Sequence, residues 1–268
     1  MGQPAAALTP NEAKHIMMSV PTSPKHRLEH AVKAVVLLGL AGYFAYTVAS
    51  GNLSFYINLR FGWLSYVAII IFGLLGLSSA LLALTGGRGD APTHPDRRTS
   101  PAMLLMVGVP LVVGAATILT DTAKPLGVEA VDSISLTGSF GFGGSPTVAQ
   151  KDPLQRDILD WSRLFSQEEH ASVFNGQSAR ILGFVYTEPG FAEGQFMLAR
   201  FTLSCCVADS QALGLPATYA GLSELRPGDW VIAEGTFRAE SFMGQTVPVL
   251  QVASLERTEQ PNQPYLYP

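Results

Sequence analysis

Two cysteines stand side by side in the stretch Arg200 to Pro216, RFTLSCCVADSQALGLP, and the chain has no others. Adjacent thiols offer two chemistries. They can close an eight-membered disulfide ring, which strains the peptide bond between them and is readily reduced. With Asp209 nearby, Cys205 and Cys206 can instead hold a soft metal ion such as Zn or Cu as thiolates. A third reading is structural, with one cysteine a small core hydrophobe and the other incidental. The spacing leaves all three open, because strong zinc patterns pair one CxxC with a second or with two histidines. Of the five histidines, only His170 lies in the same half of the chain. The stretch reads as a strand, in which successive side chains point to opposite faces, so one cysteine is expected to be reachable.

The rest of the chain must hold this stretch in place, and its composition suggests how. Only 14% of the residues are charged, against about 25% in soluble domains, and the deficit is concentrated in the first half. Three apolar runs, Val32–Ser50, Leu64–Thr85 and Pro101–Thr120, have 19 to 22 residues each. That length makes about 28 to 33 Å of helix, enough to cross a hydrocarbon core. Lys33 is the one charge inside them and lies at an end, where it can snorkel. Pro110 predicts a kink in the third run. Gly73, Gly76, Ser78, Ser79 and Ala80 give the second a close-packing face.

Flanking charge sets the orientation. Lys14, Lys25, Arg27, Lys33, Arg88, Arg97 and Arg98 lie on one side of these runs, and Arg60 and Lys124 on the other. Seven against two places the amino terminus in the cytoplasm and the carboxy-terminal half outside it. A signal peptide is the rival reading of the first run, but the leader is long for one. Arg60, alone in the aromatic loop GNLSFYINLRFGW, reads as an interfacial lipid anchor or as a contact for an anion or partner.

Four regions follow: a cytoplasmic tail (1–31), a membrane domain (32–120), a Gly- and Ser-rich linker (121–150) and an outer domain (151–268). In the outer domain, Asp152 and Pro153 read as a helix start, with Leu154, Ile158, Trp161 and Phe165 forming one apolar stripe that ends before Asn175. Five strand-like segments, SARILGFVYTE, QFMLARFTLSCC, LPATYAG, WVIAEGTFR and TVPVLQVASLER, come next, with a GLSEL helical turn between the third and fourth. The fold class is therefore membrane α plus β: three transmembrane helices, then an extracytoplasmic OB-like β-barrel with one amphipathic helix. Residues 150–268 hold 8 Lys and Arg against 14 Asp and Glu, a net charge of −6 that repels nucleic acid.

The pieces GNLSFYINLRFGWLSY, GFVYTEP, FMLARFTLSCCVADSQALGLP, DWVIAEGTF and the terminal PYLYP resemble the YcgQ-like family. That family is described as the smaller subunit of a proposed two-component membrane permease complex. The resemblance implies a multi-pass protein of the bacterial cell membrane and a larger ArsP-like multi-span permease as partner. It implies a role in moving a solute or metal ion. For such an accessory subunit, Cys205, Cys206, Asp209 and Arg60 are the candidate surface for ligand or partner. The alternative is a membrane-anchored extracytoplasmic metal-binding or thiol-redox protein. An enzyme is not expected, since the chain has no GxSxG, no HExxH and no phosphate loop. Glu188, Glu193, Asp209, Glu234 and Glu240 read as solvated surface, and Tyr219, Trp230 and Tyr265 as packing.

Overall fold

The computed structural model describes residues 24–85, 108–109, 112–114, 116, 124–135 and 147–268. Most of the expected tail and the glycine-richest part of the linker lie outside them. So does most of the third apolar run, whose described residues are helical. The chain divides into two compact units. One holds the apolar helices, and the other joins Gly51–Gly62 to Ala123–Pro268.

In the first unit, α1 (Pro24–Ala49) and α2 (Trp63–Thr85) are each long and apolar enough to cross a membrane. Helix α1 begins at Pro24, within the segment assigned to the tail by its polarity. An ion pair one turn apart, Lys33 to Glu29 at 2.8 Å, supports that first polar stretch. Gly76 lets the two helices approach, for a Cβ there would lie 2.8 Å from the Leu38 side chain. Phe44 and Phe72 stack across the same pair at 6.1 Å. Outward residues such as Ile70, Leu74, Leu77 and Leu84 are apolar and exposed, the pattern of a helix solvated by something other than water.

The second unit is a six-stranded mixed sheet: β1 (Ile134–Ser135), β2 (Ser178–Tyr186), β3 (Gln195–Thr202), β4 (Gln211–Thr218), β5 (Trp230–Phe242) and β6 (Gln245–Arg257). The order is β1-β4-β3-β2-β5-β6, and a further parallel pairing, Ala217 with Leu250 and Thr218 with Gln251, joins β4 to β6. Strands β2 to β6 are thus linked in a cycle of pairings, antiparallel except at β4–β6. The long β5–β6 ribbon carries a bulge at Glu234/Gly235, where a Cβ on Gly235 would collide with the Gln251 carbonyl.

Strand β3 is buried along nearly its whole length, on both faces. One face packs on helix α3 (Ile158–Gln167), whose Ile158 and Trp161 are fully buried. Burial of a large apolar side chain of this kind contributes about 1.5 to 3 kcal/mol. Trp161 meets Phe237 at 4.7 Å, with Phe165 and Phe174 completing the cluster. The helix differs from the sequence expectation at both ends. Asp157, not Asp152, is its cap, in a reciprocal capping box with Asp160, and Asp152 caps a separate 3-10 turn, Pro153–Gln155. Leu154 is therefore left out of the stripe and half exposed. At the other end the helix stops at Gln167, and Phe174 belongs to a second 3-10 turn.

The opposite face is covered by Tyr265 and by Leu126, Val128, Ala130, Val131 and Ile134. Residues 124–135 were expected to be open linker. Instead they pack on the sheet and contribute β1, in parallel with β4.

Candidate functional site

The two cysteines lie beyond the end of β3, not on it. The sequence reading of a strand through Cys206 fails because of Asp209: its carboxylate accepts from the amides of Ser204 (3.0 Å) and Cys205 (2.7 Å). That carboxylate folds the chain into a turn, and a 3-10 turn, Val207–Asp209, leads on to β4. In the turn the side chains of Cys205 and Cys206 no longer alternate, and their Sγ atoms lie 3.7 Å apart. Both are free thiols. Cys205 is exposed, and Cys206 is half-buried.

Asp209 also sets the proton at Cys205. The carboxylate beside it, then the neighbouring Cys206 thiol, push the Cys205 thiol up to about 11. For Asp209 itself, burial acts upward. The Cys205 thiol and the amides of Cys205, Ser204 and Cys206 outweigh it and hold the carboxyl below its ordinary value. The carboxylate is thus engaged as an acceptor for the turn. Among the described residues no group of three or more His, Cys, Asp or Glu is placed to hold a metal ion.

Opposite the turn stands the loop Gly51–Gly62. Ile57 and Cys206 form an antiparallel bridge, with the Asn58 amide donating to the Cys205 carbonyl (3.0 Å) and the Val207 amide to the Tyr56 carbonyl (2.8 Å). The buried Asn58 side chain donates to the carbonyls of Ser204 (3.0 Å) and Leu203 (3.4 Å), and its oxygen accepts from the Arg60 amide. One side-chain amide thereby fastens the loop and caps its 3-10 turn, Leu59–Phe61. Arg60 is exposed on that turn.

The carboxy-terminal residues complete the site. Leu266 bridges Thr202 in parallel, so the tail lies along the end of β3. Arg200, buried, donates through Nε to the Pro264 carbonyl (3.1 Å) and through Nη2 to that of Gln263 (2.7 Å). Burial presses its guanidinium below the usual range, and Asp157 works against that. The Tyr265 hydroxyl accepts from the Leu126 amide (2.8 Å) and donates to the Phe55 carbonyl (3.3 Å). It thus ties loop, tail and the 124–135 segment at a single atom.

The sequence reading names the cysteines, Asp209 and Arg60, does not name Asn58 or Arg200, and takes Tyr265 as packing alone. Their signal was the polar residue inside each apolar piece, Asn58 within NLSFYINLRF and Arg200 within FMLARFTL. Three of the surface carboxylates have separate engagements: Glu188 accepts from the Tyr186 hydroxyl, Glu234 pairs with Arg180 and Glu240 accepts from Gln251.

Apolar helices joined by a loop that is itself built into a mixed-sheet domain define a membrane-associated α and β protein. The chain belongs to the DUF1980 family, with residues 32–125 matching its N-terminal domain and residues 160–268 its C-terminal domain. It is 24% identical over 281 residues to the UPF0703 protein YcgQ of Bacillus subtilis (strain 168), covering 88% of this chain and 98% of that protein. It is 26% identical over 271 residues to a protein of Streptococcus mutans, covering 85% of this chain and 97% of that protein. The name of the second proposes a subunit of a two-component membrane permease complex.

Proposed function

We propose that this chain is the non-catalytic accessory subunit of a two-component membrane permease complex. Its partner in this reading is a larger ArsP-like multi-span permease, and together they move a solute or metal ion. The chain crosses the membrane three times, at 32–50, 64–85 and 101–120, and presents an OB-like domain outside the cytoplasm.

One observation carries the reading: the loop between α1 and α2 pairs with the cysteine turn of the sheet domain. If both helices cross, the chain is back on its starting side after α2. Residues 123–268 reach the side of that loop only by crossing once more, which is the role of the third apolar run. The excess of basic residues before and in the first turns of α1 and after α2 then makes the loop's side the outer one. The cycle of pairings from β2 to β6, with its single parallel contact between the third and fifth strands, supports the OB-like assignment.

The partner follows from what the chain lacks. The three apolar runs carry no acidic residue to line an ion path, so the pore belongs to another chain. The permease-subunit name of the streptococcal relative supports the same division of labour. Affinity purification from membranes in mild detergent should recover a larger polytopic protein in stable proportion. Recovery of this chain alone would overturn the proposal. Topology is read separately, with a membrane-impermeant thiol reagent that reaches exposed Cys205 in intact cells. Labelling only after lysis would invert the orientation.

A further inference from the structure

We propose that Cys205 and Cys206 are a thiol–disulfide exchange site, and that closing the ring between them breaks the bridge from Ile57 to Cys206. Three features converge on it, and none depends on the permease reading. First, the two Sγ atoms are already in contact at 3.7 Å, on the same side of a turn. Second, the thiols differ in access: exposed Cys205 meets an incoming disulfide, and half-buried Cys206 is placed behind it to resolve the mixed disulfide.

Third, the peptide unit between the two cysteines is the one that holds the loop. Its carbonyl oxygen accepts from Asn58, and the Val207 amide on the far side of Cys206 donates to Tyr56. Neighbouring Cα atoms are about 3.8 Å apart across a trans peptide, below the roughly 4.4 to 6.8 Å that disulfides usually span. A bond between adjacent cysteines therefore closes only if this peptide unit reorients. Its carbonyl then turns away from Asn58.

The co-reactant is a disulfide, RS–SR, small or carried by a protein. The Cys205 thiolate, a minor form at neutral pH because Asp209 holds its thiol up to about 11, attacks one sulfur, forming Cys205–S–SR and releasing RS⁻. The Cys206 thiolate then attacks the Cys205 sulfur, the Cys205–SR bond breaks and a second RS⁻ leaves. The two thiol protons end on the two RS⁻ groups. The chain loses two electrons, and the disulfide gains them.

The experiment uses the full chain in detergent with 4,4′-dithiodipyridine. The expected result is release of two thiopyridones per chain with no retained adduct and a mass lower by two hydrogens. The Cys205→Ser and Cys206→Ser variants should each release one and keep an adduct. In the oxidised chain the Asn58 and Val207 amides should exchange hydrogen about tenfold faster or more, equivalent to about 1.4 kcal/mol. Leu198, inside β3, should stay protected, and reduction should restore both loop amides. Adducts retained on both cysteines, a closed ring with unchanged loop amides, or loss of protection at Leu198 as well would each overturn the proposal.

Discussion

The backbone amide of Asn58 donates to the carbonyl oxygen of Cys205 at 3.0 Å, across 147 positions of sequence. That bond, with the two made by the Asn58 side chain, ties the link between the apolar helices to the only cysteines in the chain.

Replacing Asn58 with Ala removes the side-chain donor to Leu203 and Ser204 and the acceptor for Arg60. Leaving the buried Leu203 carbonyl without this donor should destabilise the loop by about 1 to 3 kcal/mol. Hydrogen exchange at the Val207 amide should rise, and α3 should stay protected. An unchanged Val207 would mean that the side chain does not hold the loop.

The Arg200 fork should be irreplaceable by Lys. An ammonium is a compact point charge without the fixed planar fork that reaches Pro264 and Gln263 together. Arg200→Lys should lower stability to denaturant by about 1.5 to 3 kcal/mol per charged bond lost. It should also open the tail after β6 to carboxypeptidase. Wild-type resistance of the tail would show that Leu266 and Tyr265 suffice.

Alkylation of Cys205, measured in the Cys206→Ser variant, should be slow at neutral pH and climb through the alkaline range toward its raised value of about 11. Asp209→Asn removes the negative charge and should speed the reaction near neutrality. Loss of the Cys206 thiol, a second cause of the rise, moves the titration of Cys205 downward in both variants without changing that ranking.

The same pair gives the turn its pH window. Cys205 is raised from 9.0, so the stability it contributes is full below that value and is lost as pH climbs through about 11. Asp209 is lowered from 3.8, so its contribution is present above that value and lost as pH falls below it. Protection of the Ser204 and Cys205 amides should therefore hold between about pH 4 and 9. A steady decline across neutrality would contradict the assignment.

Tyr265→Phe deletes one hydroxyl and leaves the ring in the core. The Leu126 amide and Phe55 carbonyl then lose their common partner, at a cost of about 1 to 3 kcal/mol. Thermal unfolding of the purified chain reads this directly, and an unchanged midpoint would leave the ring alone as the residue's contribution.

What could be read in the sequence was whatever local chemistry determines. Alternation and β-branching located β2, β5 and β6, and the spacing of Ile158, Trp161 and Phe165 located the helix face. Strand β4 runs Gln211–Thr218 and not along LPATYAG, a start hidden because Gln-Ala-Leu-Gly lacks β-branched residues. The departures come from partners far away in sequence. Nothing near Gly51–Gly62 indicates that it pairs with residue 206, and nothing in the 124–135 segment indicates that β4 awaits it. The helix start was misjudged because two Asp caps compete within five residues, and the reciprocal box at Asp157 and Asp160 wins over the single bond at Asp152. The cysteines were misplaced because one carboxylate three residues on overrides the strand pattern of QFMLARFTL.

Arg200 and the end of β3 hold residues 263–266, which follow the last strand of the sheet. Until they dock, the groove that takes Tyr265 and Leu266 stands open, and the Phe55 carbonyl lacks the hydroxyl that meets it. The sheet domain therefore completes its core only when this segment is seated. Chains cut between β6 and Gln263 should be met by quality-control proteases as unfinished proteins.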